Sequence, residues 1–220
     1  MKKKPYLFIT VEGGEGSGKT TQALLLKEYF EQKGCEVLLT REPGGTVLAE
    51  SIRGILLNPN SKVVPLSELF LYEAARAQHM EEFIFPALKM GKIVICDRFT
   101  DATVAYQGYG RKLSLLLINK LNSLASFGLI PTLTIYLDIA PVKGLDKAKE
   151  VDKESYGETG DRIERESLKF HSDVRRGYLI QAKTYPKRIK VIKTQKTPEK
   201  THTLIKKLLN LVLYKCLKIF

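Results

Sequence analysis

Cysteine is scarce. Cys35, Cys96 and Cys216 are the three in 220 residues, odd in number, far apart and without a C-x-x-C pair, so a disulfide framework is excluded and a reducing cytosol fits best. Long apolar runs are missing too. The longest, residues 132–137 and 208–214, fall far short of the roughly 20 residues needed to cross a bilayer, and no membrane association is expected. A secretory signal is not expected either, because Glu12 and the glycines behind it interrupt the apolar stretch that follows Lys2-Lys3-Lys4. Internal repeats and low-complexity tracts are absent. What remains is a chain that is 44% hydrophobic, 27% charged and 9% aromatic, enough to fill a core and unlike a disordered, collagenous or coiled-coil chain. Its length predicts one domain over residues 1–220.

The net charge of +12 is unevenly placed: residues 187–220 hold ten lysines and arginines against Glu199 alone, a local +9. Such a region can attract nucleic acid or anionic lipid, but a solvated lysine-rich surface is the commoner meaning, and no stable nucleic-acid binding is expected.

Apolar periodicity alternates between short β-rich runs and helical stretches. Tyr6 to Val11, Val37 to Thr40, Ile93 to Cys96, Leu133 to Leu137 and Ile189 to Ile192 read as five strands, four of them apolar enough for burial on both faces. Helical patterns cover Thr20 to Lys33, Pro65 to Met90 with a break near Pro86, Asp161 to Tyr185, and Pro198 to Cys216. Strand and helix in alternation predict an α/β fold: a five-stranded parallel sheet, helices on both faces, and a ligand crevice at the carboxyl ends of the strands. The polar stretch 147–160 predicts an exposed, mobile loop.

Gly13-Gly14-Glu15-Gly16-Ser17-Gly18-Lys19-Thr20 matches the phosphate-binding pattern G-x-x-x-x-G-K-[ST]. Glycines let backbone N–H groups converge on phosphate oxygens, Lys19 adds a mobile charge, Thr20 can place a hydroxyl on Mg²⁺, and the next helix presents its positive end. The loop follows one predicted strand and opens a helix, which predicts ATP or GTP binding and makes the expected α/β fold one of P-loop NTPase type. A GTPase is disfavoured: Asn119-Lys120-Leu121-Asn122 lacks the acid of an N-K-x-D base reader. Further polar clusters follow the strands, at Thr40 to Thr46, at Asp97-Arg98 and at Asp138. Asp97 is a candidate for Mg²⁺ through water, and an arginine there suits a phosphate.

The motifs Glu12-Gly13-x-Glu15-Gly16-x-Gly18-Lys19-Thr20-Thr21, Thr40-Arg41-Glu42-Pro43-Gly44-Gly45-Thr46, Ala74-x-Arg76-Ala77-Gln78-His79, Asp97-Arg98, Ala105-Tyr106-Gln107-Gly108 and Asp161-Arg162-Ile163-Glu164 resemble, in order and spacing, those of bacterial thymidylate kinases. The resemblance covers nearly the whole chain. It implies ATP-dependent, Mg²⁺-assisted phosphorylation of dTMP to dTDP, supplying dTTP for DNA synthesis, by a cytoplasmic homodimer. It also implies roles. Arg53 and Arg98 hold the dTMP phosphate, Arg76 and Thr103 bond the thymine edge, Tyr106 lies against the deoxyribose, and Gln107 caps the pocket. Glu12 and Glu42 lie near the sugar, and Thr20 and Asp97 serve the metal. Tyr72, one turn before Arg76, stands where the family usually has phenylalanine, and stacking on thymine and core packing are both open to it. Ala75 departs from the family's frequent acid. Members without a P-loop arginine bring lid arginines to the transferring phosphoryl group, but here Lys147 and Lys149 occupy those positions; either they act, or Arg162 at the lid's end does, with Lys153 a further candidate. A reading from another class is a regulatory P-loop protein that binds nucleic acid or membrane through the basic C-terminal region.

Overall fold

A computed structural model describes residues 6–151 and 160–217. Five strands, β1 (Phe8–Gly13), β2 (Val37–Arg41), β3 (Ile93–Asp97), β4 (Leu133–Asp138) and β5 (Ile189–Lys193), form one sheet in the order β2-β3-β1-β4-β5. Every pairing is parallel. The helices between them are α1 (Lys19–Glu31), α2 (Val47–Leu57), α3 (Pro65–His79), α4 (Phe85–Lys89), α5 (Thr100–Thr103), α6 (Leu115–Ala125), α7 (Pro141–Val151), α8 (Leu168–Thr184) and α9 (Pro198–Leu217). Among the described residues, no helix is long and apolar enough to cross a membrane.

Strand alternation sends successive side chains to opposite faces. Ile9, Val11, Leu133, Ile135 and Leu137 pack with Leu26 and Phe30 of α1 and with Ile205 and Leu209 of α9. Phe8, Val94 and Cys96 face the other way, onto Met80, Ile84 and Phe99, and Tyr136 stacks on Tyr178 of α8 with ring centroids 4.7 Å apart. Burying a leucine or phenylalanine is worth about 1.5–3 kcal/mol, so these two layers hold the strand ends, and the loops on them, in fixed register.

Four expectations need correction. Three strands, not four, are buried along both faces: β2 and β5 lie at the sheet's edges and are only half-buried. Pro86 does not break its helix, because the chain widens into a π-helical turn at Met80–Ile84 just before it and so accommodates the missing N–H. The helix expected from Asp161 begins at Leu168, where Ser167 caps it by accepting from the Phe170 N–H at 3.2 Å; Asp161 instead accepts from the N–H groups of Ile163 and Glu164 and holds a turn. Finally, helix α7 runs through the first residues of the expected lid, and 152–159, including Lys153, lie outside the described residues.

Candidate active site

The phosphate-binding loop leaves β1 at Gly13 and enters α1 at Lys19. Gly16 has φ +60°, and a Cβ there would lie 1.9 Å from the Gly144 carbonyl oxygen of α7, so only glycine lets α7 pack against the loop. Lys19 is buried and donates from Nζ to the Gly14 carbonyl at 2.8 Å. Burial and the neighbouring Arg98 push its pKa down, opposed by Glu15 and Asp97.

At the end of β3, Asp97 accepts from the Thr20 hydroxyl at 2.6 Å. A hydroxyl and a carboxylate side by side are hard oxygen donors, the set that Mg²⁺ accepts alongside its waters and a phosphate, so the residues present fit the ion. The next residue, Arg98, has φ +71°, a left-handed backbone that costs a non-glycine residue about 1–3 kcal/mol. That turn brings its guanidinium over the Tyr106 ring, 4.7 Å from the centroid, and onto Glu15 at 2.7 Å. Glu15 also accepts from the Tyr106 hydroxyl at 2.7 Å. Burial pushes the Glu15 carboxyl up, but Arg98 and Lys19 outweigh it and hold the pKa well below the usual range.

Two spaces meet at this point. One is an open cleft of about 360 Å³ lined by the phosphate-binding loop, Arg41, Arg53, Asp97, Arg98 and Lys147. The other is a narrow cavity walled by Glu42, Tyr72, Arg76, Arg98, Phe99, Ala102, Thr103, Tyr106 and Gln107. Glu42, Tyr72 and Arg98 belong to both, so the spaces are continuous. The narrow one holds only about 20 Å³, and a planar base enters only if side chains at its mouth move; Tyr72 and Arg98 stand there. The Tyr72 hydroxyl has no hydrogen-bond partner among the described residues, and burial raises its pKa.

Arg76 is the centre of the cavity wall. It is 2% exposed and donates to Glu42 at 2.8 Å, Glu73 at 2.9 Å, Asn122 at 2.6 Å and Thr103 at 3.0 Å. A guanidinium has five N–H donors, so one on Nη2 stays free beside Thr103. The motif residues around it now have physical roles. Glu42 also meets His79 Nδ1 at 3.1 Å, and His79 Nε2 meets the Thr40 hydroxyl at 2.7 Å. A Cβ on Gly45 would lie 2.7 Å from the His79 ring, while the Thr46 hydroxyl caps α2 by accepting from Ala49 at 3.1 Å, worth about 1 kcal/mol.

Of the residues expected to touch the acceptor, Glu42, Tyr72, Arg76, Arg98, Thr103, Tyr106 and Gln107 come together in the cavity, and Arg53 lies in the cleft with Nη1 on the Pro43 carbonyl at 3.0 Å. Glu12 does not. It is fully buried beneath the site, lines neither space, and accepts from the Phe99 N–H at 2.7 Å and the Tyr178 hydroxyl at 2.8 Å. Burial, with a smaller contribution from Asp101, pushes its pKa up from 4.5 to about 8. Between those values the folded state holds a proton that the unfolded state has released, so stability declines as pH rises through that window. Thermal melts of ligand-free protein should show this decline in the wild type and not in Glu12→Gln, with the two converging below about pH 4.5; parallel curves would mean that Glu12 is ionised in the fold.

Arg162 is also displaced from its expected place. Its Nε donates to the Leu56 carbonyl and its Nη2 pairs with Glu68, both at 2.7 Å, which pins it against α2 and α3 outside the cleft. Lys147 lines the cleft and is exposed; Lys149, two residues on, lies about 200° around the same helix and does not line it. Asp138 is held in bidentate fashion by Arg175 at 2.7 and 3.0 Å. Three supporting residues were not read from the sequence. Buried Glu68 accepts from Gln107 at 2.8 Å and binds Arg111 and Arg162; Glu73 supplies, one turn earlier, the acid that Ala75 lacks; Asn122 holds Arg76 from α6.

A family profile described as thymidylate kinase matches residues 11–205. The thymidylate kinase of Citrifermentans bemidjiense is 53% identical over 84% of this chain and 83% of its own, and that of Gloeobacter violaceus is 50% identical over 84% and 86%. This chain belongs to the thymidylate kinase family. Its fold agrees: the crystal structure of thymidylate kinase from Ehrlichia chaffeensis superposes with a TM-score of 0.74 at 36% identity, covering 93% of this chain and 100% of that one. Membership in the thymidylate kinase family gives the phosphate-binding loop a nucleotide phosphate donor to hold.

Proposed function

We propose that the chain transfers the γ-phosphoryl group of ATP to dTMP, giving ADP and dTDP and so supplying dTTP for DNA synthesis in the cytoplasm. The observation that carries this is the continuity of the cleft with the Arg76 cavity through Glu42, Tyr72 and Arg98, which puts a base-reading wall one side chain away from a triphosphate loop. Residues 1–220 act as one domain.

Phosphoryl transfer asks for alignment and charge neutralisation more than for covalent work. The phosphate-binding loop and Lys19 hold the donor's outer phosphates. Thr20 and Asp97 would hold Mg²⁺, which when bound would neutralise phosphate charge. Arg53 and Arg98 face the acceptor phosphate from the cleft wall; to do so Arg98 exchanges Glu15 for phosphate while keeping its stack on Tyr106. The acceptor brings its own ionised oxygen, so no general base is assigned. The free Arg76 N–H and the Thr103 hydroxyl face the base edge, and Tyr106 crowds the sugar where a 2′-hydroxyl would sit. A coupled assay of ADP release from ATP and dTMP tests the reading: release should require both dTMP and Mg²⁺ and stop on chelation, whereas equal release without dTMP would make the chain an ATPase and sink it.

Lys147, which lines the cleft, is the cation assigned here to the transferring group. Its replacement by alanine should lower kcat by about tenfold to a hundredfold with little change in KM for dTMP, while Lys149→Ala should behave as wild type. A large kcat loss in Lys149→Ala alone would reverse the assignment.

Homodimerisation fits an apolar face spread over α2, α3 and α6, which pack side by side. Phe70 is 51%, Leu116 81% and Leu124 64% exposed there, a patch that a monomer rarely leaves uncovered. Sedimentation should give twice the chain mass for the wild type and the chain mass for Phe70→Glu with Leu124→Glu; a monomeric wild type contradicts the proposal.

A further inference from the structure

A cavity of about 680 Å³, larger than the cleft, lies between α5, α6 and the turn that leads from α8 into β5. It shares no residue with the cleft or the Arg76 cavity, and its size is that of a small-molecule site. Its lining is mostly apolar, with a few polar side chains that keep hydrogen-bonding capacity. Ser126 is 2% exposed and its hydroxyl has no hydrogen-bond partner among the described residues. Buried Gln181 donates from Nε2 to the Asp101 carbonyl at 3.1 Å, which leaves its Oε1 open to the cavity. Buried Asn122 donates one Nδ2 hydrogen to the Thr100 carbonyl at 3.2 Å and keeps the other. Asp101 is not part of this free set, since Arg188 and Thr134 already bind its carboxylate. At the rim, exposed Lys187 has no ion-pair partner among the described residues, and the Tyr185 ring stands half-exposed. A donor, an acceptor and a hydroxyl below, with an aromatic ring and a cation above, suit the edge of a heterocycle that carries an anionic group.

The wall between this cavity and the acceptor pocket is thin. Asn122 lines the new cavity while its Oδ1 accepts from Arg76 at 2.6 Å, and α5 turns Thr100 and Asp101 toward it but Ala102 and Thr103 toward the Arg76 cavity. We propose that the cavity between α5, α6 and residues 185–188 is a second site, for a nucleotide-sized anionic heterocycle, and that its occupant draws Asn122 from Arg76 and weakens acceptor binding. Only this coupling rests on the reading of the cleft as a dTMP kinase; the site itself does not.

The test begins with full-length protein whose cleft is filled with dTMP, Mg²⁺ and the β,γ-imido analogue of ATP. dCMP, dAMP and dGMP are then titrated in by calorimetry, which needs no turnover and so can fail independently of the kinase reading. At least one should bind, and binding should be lost in Ser123→Trp and in Lys187→Glu, two exposed rim positions of which either suffices if the other fails to fold. In steady-state assays the same nucleotide should raise KM for dTMP by about fivefold or more in the wild type, while both variants keep the wild-type KM and ignore the nucleotide. No binding by any of the three overturns the site. Binding that survives both substitutions overturns it as well, because it then occurs elsewhere, and binding that leaves KM unchanged overturns the coupling.

Discussion

Lys19→Ala should lower kcat by about a thousandfold while leaving a folded, soluble protein. Lys19 sits in the first turn of α1, and its side chain makes one hydrogen bond among the described residues, to the carbonyl of Gly14 in its own loop, so the fold asks little of the side chain. The donor phosphates ask a great deal, since charge on the transferring group grows toward the transition state and a preorganised cation acts there without reorganisation. The loss should therefore appear in kcat more than in KM for dTMP. Circular dichroism and thermal melting of the variant should match wild type. A folded Lys19→Ala with near-normal turnover would remove the phosphate-binding loop from the mechanism.

Arg76→Met should damage both stability and acceptor binding. The guanidinium satisfies two buried carboxylates, Glu42 and Glu73, and an Asn122 carbonyl oxygen at once, and removing one partner of a buried ion pair costs about 3–5 kcal/mol because the other charge is stranded. Glu73 is the sharper case: burial already pushes its carboxyl up against the opposing pull of Arg76, and one of its oxygens has no partner even now. Urea unfolding should show a loss of about 3–5 kcal/mol, equivalent to roughly 10 °C in Tm for a chain of this size. KM for dTMP should rise steeply as the free Nη2 hydrogen disappears from the base pocket. A variant as stable as wild type, with unchanged KM, would show that the network is ornamental.

The five strands and the phosphate-binding loop were legible because each is written locally, in a short apolar run or an eight-residue pattern. Helix α2 was not named as an element, although Thr46 caps it, because the glycines and prolines on either side of it blur the period. The acceptor pocket became legible only through family resemblance: its wall draws on β2, α3, α5 and the residues after it, and no local rule links Glu42 to Arg76 across 34 positions. Residues that support it stayed hidden for the same reason. Glu68 reads as an ordinary first-turn helix acid, yet three partners from distant positions converge on it. Glu12 was placed near the sugar by resemblance, but strand alternation turns its side chain into the layer under Tyr178. Helix geometry separates Lys147 from Lys149, and that separation was invisible while the segment read as a loop.

The central claim is that the Arg76 cavity selects a thymine deoxynucleotide as phosphate acceptor. The most direct measurement is kcat/KM of the purified chain with ATP and Mg²⁺ for dTMP, dUMP, UMP, CMP and AMP, with the diphosphate product identified in each case. dTMP should be best and dUMP should follow by about 1–3 kcal/mol, the worth of one methyl group in a pocket, with the ribonucleotides far behind, in keeping with the role proposed for Tyr106 beside the 2′ position. Faster turnover of CMP or AMP than of dTMP would contradict the account.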